Sequence, residues 1–390
     1  MGVCLLRAQR AKLRAKRNPA RTAVPLFAPT DFLIPPDLIH VCAGGQTPVP
    51  HAQGAALARY ALDKSTGPAG RARMDAEVDR LRARLAAFWS VATPDIGLVS
   101  SVAEGMSMLV ESLDWREGDN VVLDAHEYPS IALPMAMRRG VTLRHVPIMD
   151  ADAVAAAVDA RTRMVAASAA SYFDASRPDL APLRAAADRV GALLVVDYTQ
   201  ASGWLPVEAG IADFAFAACY KWMLGGTGLA IAYWNRARQP GWAPATAGWY
   251  SVADDASNEY RSAPPLRPDA NRFTRGNPAH LPAYALQAAM DLHESLPRGA
   301  MQAHVQGLTT ALLARLDQAG IPSITPPDPA RHGASVCIAH PRASRIVAAM
   351  AERNVLTWNG RGRIRISFHG YNDLSQIDPI MGALTAALAD

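Results

Sequence analysis

One acid and one lysine stand out in two apolar segments of this 390-residue chain. Asp197 ends the run Leu193-Leu-Val-Val-Asp197, and Lys221 lies in Cys219-Tyr-Lys-Trp-Met-Leu-Gly-Gly-Thr-Gly228. An apolar surrounding disfavours the charged form of an amine and so makes it a nucleophile near neutral pH. Either residue alone would be an ordinary strand-end acid or a lysine reaching solvent from a loop. Together, with the glycines after the lysine, they favour a cofactor site.

The chemistry that needs such a pair is that of pyridoxal phosphate (PLP). The amine of Lys221 would form a Schiff base with the cofactor, and the carboxylate of Asp197 would keep the pyridinium nitrogen protonated. The protonated ring stabilises negative charge at Cα of an amino-acid substrate, and Lys221 is the natural group to move the proton there. We therefore expect Lys221 and Asp197 to be the catalytic residues of a PLP-dependent enzyme.

The elements that must position this pair alternate strand and helix, which predicts an α/β fold with a mostly parallel sheet flanked by helices. A helix is predicted over 75–89, and another over 180–190 that ends at Gly191. Apolar runs of strand length occupy residues 96–99, 121–123, 143–148, 164–167, 192–196, 213–217 and 229–234. The sequence thus predicts a seven-stranded sheet.

The length of the chain exceeds the size at which one hydrophobic core keeps growing, so two domains are expected. We predict a disordered basic tail at 1–25, an N-terminal arm at 26–50 that joins the small domain, a large PLP-binding domain at 51–285 and a smaller α+β domain at 286–390. The last contains predicted helices at 281–296, 301–319 and 343–353 and strands at 334–339 and 363–368. Residues 251–277 lack periodicity and are expected to form a functional or interfacial loop.

Composition excludes several classes of protein. Lysine and arginine total 39 against 35 acids, and several arginines crowd the first residues, so the rest of the chain gives no reason to expect a nucleic-acid partner. Cys4, Cys42, Cys219 and Cys337 are scattered, which disfavours a disulfide framework or a metal site and favours the cytoplasm. No apolar run is long enough for a membrane-spanning helix.

The order Asp-x-x-Gln followed by Tyr-Lys-Trp-x-x-Gly-Gly-x-Gly resembles the class V aminotransferase superfamily of PLP-dependent enzymes, of fold type I. That group includes kynureninases, cysteine desulfurases and proteins similar to isopenicillin N epimerase. The resemblance runs from about Ile39 to the C-terminus and is most specific at the lysine segment. It implies PLP as the cofactor, an amino acid as the substrate and a homodimer.

The resemblance also implies a phosphate cradle where the N-terminus of a helix meets the anion. The segment Val99-Ser-Ser-Val-Ala-Glu-Gly-Met106 is similar to the family's cradle and aligns Ser101, Val102 and Ala103 with it, the last two through backbone amides. The usual family threonine is missing, so a further phosphate contact must come from elsewhere.

Three more residues match phosphate contacts of the family. Tyr220 resembles a kynureninase tyrosine that reaches the phosphate. Trp249 and Asn277 match positions that touch the phosphate of the neighbouring subunit in relatives, so their roles imply active sites shared across a dimer. For Trp249, an aromatic cluster that packs the loop is an equal alternative.

Around the ring of the cofactor, the resemblance implies three contacts. Tyr128, in Glu127-Tyr-Pro-Ser130, is expected to stack on the ring. Gln200 resembles the desulfurase glutamine that hydrogen-bonds the phenolic oxygen, where kynureninases carry histidine. Ser171 stands in the place of an Asn or Gln near the same oxygen.

Substrate recognition is expected near both ends of the chain. In Arg361-Gly-Arg-Ile-Arg-Ile-Ser-Phe-His369, Arg365 matches the family arginine, and a forked guanidinium binds a carboxylate in bidentate fashion. Arg361 and Arg363 are expected on the solvated face of an edge strand. Gly44 and Gly45 resemble the loop whose backbone approaches the substrate carboxylate.

Several activities remain open on this scaffold. A class V aminotransferase is the first interpretation, followed by a kynureninase-like enzyme, a C–S β-lyase or an epimerase, and then by a non-catalytic binding protein of the same fold. A desulfurase is disfavoured, because it needs a cysteine on the loop before the Arg-Ile-Ser strand. Residues 355–362 contain none, and Cys337 lies in an apolar strand.

Overall fold

The computed structural model describes residues 24–253 and 264–390. The predicted basic tail at 1–25 therefore lies almost wholly outside the described residues, as does part of the predicted loop at 251–277. Within the described residues, no helix is both long and apolar enough to cross a membrane.

A seven-stranded sheet forms the centre of the larger part of the molecule, as the apolar runs predict. Its order is β2-β8-β7-β6-β5-β3-β4, and every neighbouring pair is parallel except the two that involve β8. The strands are β2 (Ile96–Val99), β3 (Asn120–Leu123), β4 (Thr142–His145), β5 (Thr162–Ser168), β6 (Leu193–Asp197), β7 (Phe214–Ala218) and β8 (Ala230–Trp234); a short β1 (Ile39–His40) precedes them.

Both faces of the sheet are covered, which explains why its strands are continuously apolar. Leu194 and Val196 of β6 join one hydrophobic cluster, whereas Leu193 and Val195 join another. Successive side chains of a strand point to opposite faces, so the two clusters lie on the two sides of the sheet.

Helices surround this sheet. They are α1 (Ala52–Lys64), α2 (Gly67–Phe88), α3 (Val102–Glu111), α4 (Pro129–Ala136), α5 (Ala151–Ala157), α6 (Leu180–Val190) and α7 (His280–Glu294). Apolar residues of α2 and α6 belong to the first cluster and those of α3 and α4 to the second. The predicted end of α6 is confirmed, because Gly191 adopts the left-handed conformation that stops a helix.

The C-terminal part contains a small antiparallel sheet of order β11-β12-β9. Its elements are α8 (Ala300–Gln318), β9 (Ser335–Ala339), α9 (Ala343–Ala351), β10 (Val355–Leu356), β11 (Trp358–Gly360), β12 (Arg363–Ser367) and α10 (Ile377–Ala389). The predicted α/β fold with a smaller α+β part is confirmed.

One expectation for this sheet was wrong. β12 is its central strand and not an edge, because β9 and β11 pair with it on both sides. Arg363 is consequently buried and not solvated. Arg361 is exposed but lies before the strand, in a turn where its φ is positive.

The N-terminal segment pairs with the C-terminal elements. β1 runs parallel to β10, the amide of Phe27 donates to the carbonyl of Gly370, and Ser367 donates to Val41. These contacts bring residues from both ends of the chain to the carboxyl edge of the large sheet. The predicted domain boundaries themselves stay predictions.

Candidate active site

Asp197 and Lys221 lie at the carboxyl ends of neighbouring strands. Asp197 is the last residue of β6, and Lys221 follows the end of β7 by three residues. Ligands of open α/β sheets bind at this edge. Both side chains are buried, and neither forms a salt bridge with any residue in the described ranges. Two buried ionisable groups without such partners are costly, and a ligand that pairs with both would offset that cost.

Hydrogen bonds from distant parts of the chain fix the backbone around Lys221. The Thr47 hydroxyl donates to the carbonyl of Lys221 over 3.2 Å, and the Gln53 amide donates to that of Leu224 over 2.6 Å. The indole of Trp222 donates to Phe368 over 3.1 Å. The lysine is therefore carried on a rigid segment and not on a free loop.

Burial sets the protonation of the pair. Desolvation, and to a smaller extent the positive charge of Arg365, lower the pKa of Lys221 to about 7, against the attraction of Asp197. Desolvation also raises the pKa of Asp197, although hydrogen bonds from Thr199 and the charge of Lys221 act the other way. A large fraction of Lys221 is thus a neutral amine at neutral pH, as a nucleophile and base must be.

Lys221 opens into a cavity of about 420 Å³. Its cationic lining consists of Lys221, Arg361, Arg363 and Arg365, and none of the carboxylates in the described part of the chain lines it. The remaining lining residues are Gly44, Gly45, Gln46, Tyr128, Pro129, Tyr172, Gln200, Tyr220, Thr227, Trp358 and Gly360. A cavity with this lining is suited to an anionic ligand.

Two tyrosines lie beside the amine of Lys221. Its Nζ is 5.3 Å from the ring centroid of Tyr128 and 5.6 Å from that of Tyr220. Tyr128 is the residue immediately before α4, so the start of that helix fixes the position of its ring. The structure thus brings both predicted aromatic contacts to the lysine.

Gln200 and the two glycines meet at the same wall. The Gln200 amide donates to the carbonyl of Gly44 over 3.0 Å. A Cβ on Gly44 would lie 2.6 Å from the Ser367 hydroxyl and 3.1 Å from Arg365 Nε, and one on Gly45 would lie 2.5 Å from the ring of Trp358. Only glycine allows the backbone to approach this closely.

Arg365 is held in place by the neighbouring loop. It lies on β12 with 5% of its surface exposed, and its Nη1 donates to the carbonyl of Tyr172 over 3.0 Å. Desolvation lowers the pKa of its guanidinium. The predicted carboxylate-binding arginine therefore lines the cavity that contains Lys221.

The predicted phosphate cradle lies at the N-terminus of α3. Ser101 is the N-cap, and its hydroxyl accepts a hydrogen bond from the amide of Glu104 over 3.1 Å. The amides of Val102 and Ala103 are in the first turn, where no intrahelical acceptor exists. The Glu104 carboxylate accepts from Ser100 and so adds an acidic neighbour.

Trp249 and Asn277 come together away from the lysine cavity. Arg71 of α2 donates to Asn277 Oδ1 over 2.6 Å, and its guanidinium carbon is 5.9 Å from the ring centroid of Trp249. Trp249 is 60% exposed. The structure therefore places these two residues in one cluster on the surface of the subunit, and neither lines the cavity at Lys221.

Ser171 lies in a turn and lines a separate cavity, beside Glu127. Its hydroxyl accepts hydrogen bonds from the amides of Phe173 and Asp174. The next residue, Tyr172, lines the Lys221 cavity, and its buried hydroxyl has no partner among the described residues. Sequence reasoning missed Tyr172; the aromatic pair Tyr172-Phe173 inside a polar segment was the available signal.

Glu127 is a second residue that sequence reasoning left without a role. Its carboxylate accepts from the amide and hydroxyl of Ser168 over 2.8 and 2.6 Å and from the amide of Tyr128 over 2.6 Å. Its pKa is raised to about 7, mainly by desolvation and to a smaller extent by the negative charge of Asp197. The hydrogen bonds from Ser168 and Tyr128 act in the opposite direction. Glu127 thereby joins the Tyr128 turn to the end of β5, next to Asp197 on β6.

No cluster of three or more His, Cys, Asp or Glu side chains in residues 24–253 and 264–390 could hold a metal ion. The thiols described in this part of the chain are buried, and desolvation raises the pKa of Cys42 and Cys219 to about 12 and that of Cys337 to about 11.

A family model described as "Aminotransferase class-V" matches residues 57–380. The chain belongs to the class V aminotransferase family. The resemblance that the lysine segment indicated is thereby confirmed.

Two curated relatives span most of this class V chain. Kynureninase from Deinococcus radiodurans is 25% identical over 347 residues, which cover 84% of this chain and 83% of the relative. A probable cysteine desulfurase from Methanothermobacter thermautotrophicus is 24% identical over 376 residues, which cover 87% of this chain and 92% of the relative.

Among solved structures, a Lys-to-Ala mutant of C-DES with glycine covalently linked to its PLP cofactor has a TM-score of 0.80. It is 23% identical, and the match covers 90% of this chain and 96% of that one. This similarity shows the fold, which is fold type I of the PLP-dependent enzymes.

The relatives do not support the expectation that disfavoured a desulfurase. Several are named cysteine desulfurases, and their similarity to this chain is comparable to that of the kynureninase. Family membership establishes a class V enzyme scaffold and leaves the reaction to be decided by experiment.

Proposed function

We propose that this protein is a PLP-dependent enzyme that transforms an amino acid, with the cofactor attached covalently to Lys221. The observation that carries the proposal is the buried pair of Lys221 and Asp197, which lie at neighbouring strand ends without salt-bridge partners in the described residues. A small aromatic cofactor with a carbonyl group at one end and a basic nitrogen at the other would satisfy both side chains.

The residues of the cavity supply the remaining contacts for such a cofactor. Tyr128 would cover the ring. One amide N–H of Gln200 donates to Gly44, and the other would donate to the phenolic oxygen. The N-terminus of α3 would hold the phosphate, assisted by Tyr220. The hydroxyl of Ser171 accepts hydrogen bonds within its own turn, so we propose no contact from it to the phenolic oxygen.

When bound, PLP withdraws electrons from the substrate's Cα. The chain positions the substrate for that step. Arg365 binds its α-carboxylate beside Gly44, whose lack of a side chain leaves room for the carboxylate. Lys221, with its pKa lowered to about 7, takes the proton from Cα and returns it to the cofactor or the substrate. Cys219, Trp222 and Met223 beside the lysine are part of the hydrophobic core and would limit the access of water from that side.

The site is completed by a second copy of the chain in this proposal. Trp249, Asn277 and the Arg71 that joins them lie outside the cavity of their own subunit and would reach the phosphate of the partner. An apolar groove beside the phosphate cradle, with the exposed side chains of Leu133 and Met137, would be covered by the same contact.

Transamination is the reaction that we propose first. The hairpin that precedes β12 carries no thiol, and the three described cysteines are buried with raised pKa values. Gln200 stands where kynureninases have histidine, which argues against a strict kynureninase. The second candidate is cleavage at Cβ or Cγ, including desulfuration, because named relatives are desulfurases. Epimerisation and a non-catalytic role rank below these.

One experiment separates the two candidates. The purified protein, loaded with PLP, is incubated with a panel of amino acids while the cofactor's absorbance and the release of pyruvate, ammonia, sulfide or alanine are recorded. Conversion to the pyridoxamine spectrum, with release of the 2-oxo acid of the amino acid and without release of ammonia or sulfide, supports transamination. Product release with an unchanged cofactor supports a lyase, and a colourless protein that never takes up PLP contradicts the proposal.

A further inference from the structure

A second arginine of β12 lines the cavity beside Arg365. Arg363 and Arg365 are two residues apart on one strand, so their side chains emerge on the same face. Ile364 and Ile366 point to the other face and are fully buried in the hydrophobic core. Arg363 is 4% exposed and Arg365 is 5% exposed, so both guanidinium groups are buried.

Much of the hydrogen-bonding capacity of these two groups is unused. Arg363 donates to the carbonyls of Gly360 and Tyr172 over 2.8 and 2.9 Å, and Arg365 donates to the same Tyr172 carbonyl over 3.0 Å. A guanidinium has five N–H donors. The Nε atoms of both arginines have no acceptor in the described residues.

The two guanidinium groups are close together. One nitrogen of each lies within hydrogen-bond distance of the Tyr172 carbonyl oxygen, so these nitrogens are separated by less than the sum of the two distances. No salt bridge joins either arginine to a carboxylate in residues 24–253 and 264–390. Two adjacent buried cations are costly unless anions neutralise them.

The part of the cavity around Arg363 and Tyr172 is also suited to binding an anion. The Tyr172 hydroxyl, buried and unpartnered, can donate a hydrogen bond. The guanidinium carbons of Arg361 and Arg363 lie 5.4 and 5.0 Å from the Tyr172 ring centroid, so a third cation is close by. In the proposed function the α-carboxylate of the substrate pairs with Arg365, and a second anionic group would neutralise Arg363.

We propose that Arg363, with Arg361 and Tyr172, binds a second anionic group on the substrate, which is therefore an α-amino acid with a short acidic side chain. This inference rests on the proposed function, because it adds a side-chain subsite to the same cavity. The spacing of the subsite is short. Alternate residues of a strand are about 6.6 Å apart, and the two guanidinium groups converge on one carbonyl. A four-carbon dicarboxylate, or a sulfinate of similar length, spans such a gap.

A purely structural role for Arg363 makes a different prediction. Its hydrogen bonds to Gly360 and Tyr172 hold two loops, and losing them would weaken the binding of every ligand equally. A subsite for an anion discriminates between a carboxylate and an amide of the same shape. A matched pair of ligands therefore separates the two roles.

The test measures the binding of succinate and of its monoamide, succinamate, by calorimetry, with and without saturating PLP. Neither ligand has an amine that could react with the cofactor. The proteins are the wild type, Arg363→Gln, Arg363→Lys and the control Arg353→Gln, whose arginine lies near the surface and pairs with Asp390. Thermal unfolding of each variant is recorded alongside.

We expect the wild type and Arg353→Gln to bind succinate at least about tenfold more tightly than succinamate, because a charged partner strengthens the hydrogen bonds of a buried guanidinium. Arg363→Gln removes that preference while succinamate binding changes less than about threefold, and Arg363→Lys keeps part of it. If Arg363→Gln does not fold, Arg363→Lys tests the inference in its place, because this variant must weaken the binding of succinate more than the binding of succinamate.

Equal binding of the two ligands by the wild type overturns the inference, and so does an equal loss of both in the Arg363 variants. Loss of the preference when PLP is added also overturns it, because the arginines would then hold the cofactor's phosphate. Failure of the proposed function is distinguishable from all of these, since it appears as a protein that develops no cofactor absorbance. With PLP bound, aspartate should likewise shift the absorbance at a lower concentration than asparagine.

Discussion

The reactivity of Lys221 follows from its burial. Water no longer stabilises the ammonium, and the guanidinium of Arg365 disfavours it further, so the pKa falls to about 7 even though Asp197 lies nearby. The same desolvation raises the pKa of Asp197. A bound cofactor that carries a positive charge on its ring nitrogen would reverse the effect on Asp197 and keep its carboxylate ionised.

This lowered pKa predicts the pH dependence of cofactor uptake. Only the neutral amine attacks the cofactor's carbonyl group, so the rate at which the cofactor-free protein takes up PLP should rise with pH and level off above a midpoint of about 7. Stopped-flow absorbance measures this rate. N-acetyl-lysine methyl ester under the same conditions corrects for titration of the cofactor. A rate that keeps rising to the ordinary pKa of lysine would show that Lys221 is not desolvated.

At the level of strands and helices, the buried Asp213 joins the elements behind the site. It accepts hydrogen bonds from the amide of Leu194 on β6 over 2.7 Å and from Gln239 over 2.9 Å, and it pairs with Arg184 of α6 and with Arg238. Burial alone would raise its pKa, but these partners together lower it. Its ionised form therefore stabilises the fold above the ordinary pKa of an aspartate, and that contribution is lost as the pH falls through its lowered pKa.

Asp213→Asn should destabilise the protein by about 3–5 kcal/mol, because it removes the buried charge partner of Arg184 and leaves that arginine only the half-exposed Asp188. Asp188→Asn, which removes a half-exposed partner of the same arginine, should cost no more than about 1 kcal/mol. Chemical denaturation of both variants measures the free energy of unfolding. A similar loss in the free energy of unfolding for Asp213→Asn and Asp188→Asn would show that the buried pair of Asp213 and Arg184 stabilises the fold no more than the half-exposed pair does.

Local patterns in the sequence were sufficient for most of these elements. The apolar runs predicted the strand that ends at Asp197 and the strand that ends three residues before Lys221, since a strand covered on both faces must be apolar throughout. Gly191 ended α6, and Ser101 began α3, through local backbone chemistry.

The missed features depend on long-range pairing. The alternation of Arg363 and Arg365 with isoleucines is the same on an edge strand and on a central one, and only the pairing of β12 with both β9 and β11 decides between them. Similarly, the meeting of Arg71 with Asn277 joins positions far apart in the chain, and no local pattern contains it. Likewise, Tyr172 and not Ser171 lines the Lys221 cavity, because Ser171 uses its hydroxyl within its own turn, and no local pattern in the sequence distinguishes the two.

For the molecule as a whole, the proposed dimer explains two apolar surfaces that the subunit leaves exposed. Met137 is 80% exposed and Leu133 is 57% exposed beside the phosphate cradle, and Trp249 is exposed elsewhere. Exposed apolar patches of this kind mark contact sites.

We expect a solution mass of twice 41.6 kDa for the wild type. Met137→Glu with Leu133→Arg should shift the protein toward the monomer and weaken PLP binding by at least about tenfold, because each site then lacks its partner's contacts. Light scattering coupled to size exclusion gives the mass, and fluorescence titration gives the affinity. Leu62→Glu, an exposed leucine on α1, is the matched control. A monomeric variant with unchanged PLP affinity would contradict a shared site.

The covalent attachment of the cofactor to Lys221 can be measured directly. The protein is incubated with PLP, reduced with borohydride and digested, and the labelled peptide is identified by mass spectrometry. The other lysines of the chain are Lys12, Lys16 and Lys64, so the digest distinguishes every candidate. We predict one pyridoxyl group per chain at Lys221, and none after Lys221→Ala, whereas Lys64→Ala leaves the label unchanged. A label at Lys64, or none at all on the wild type, would contradict the account.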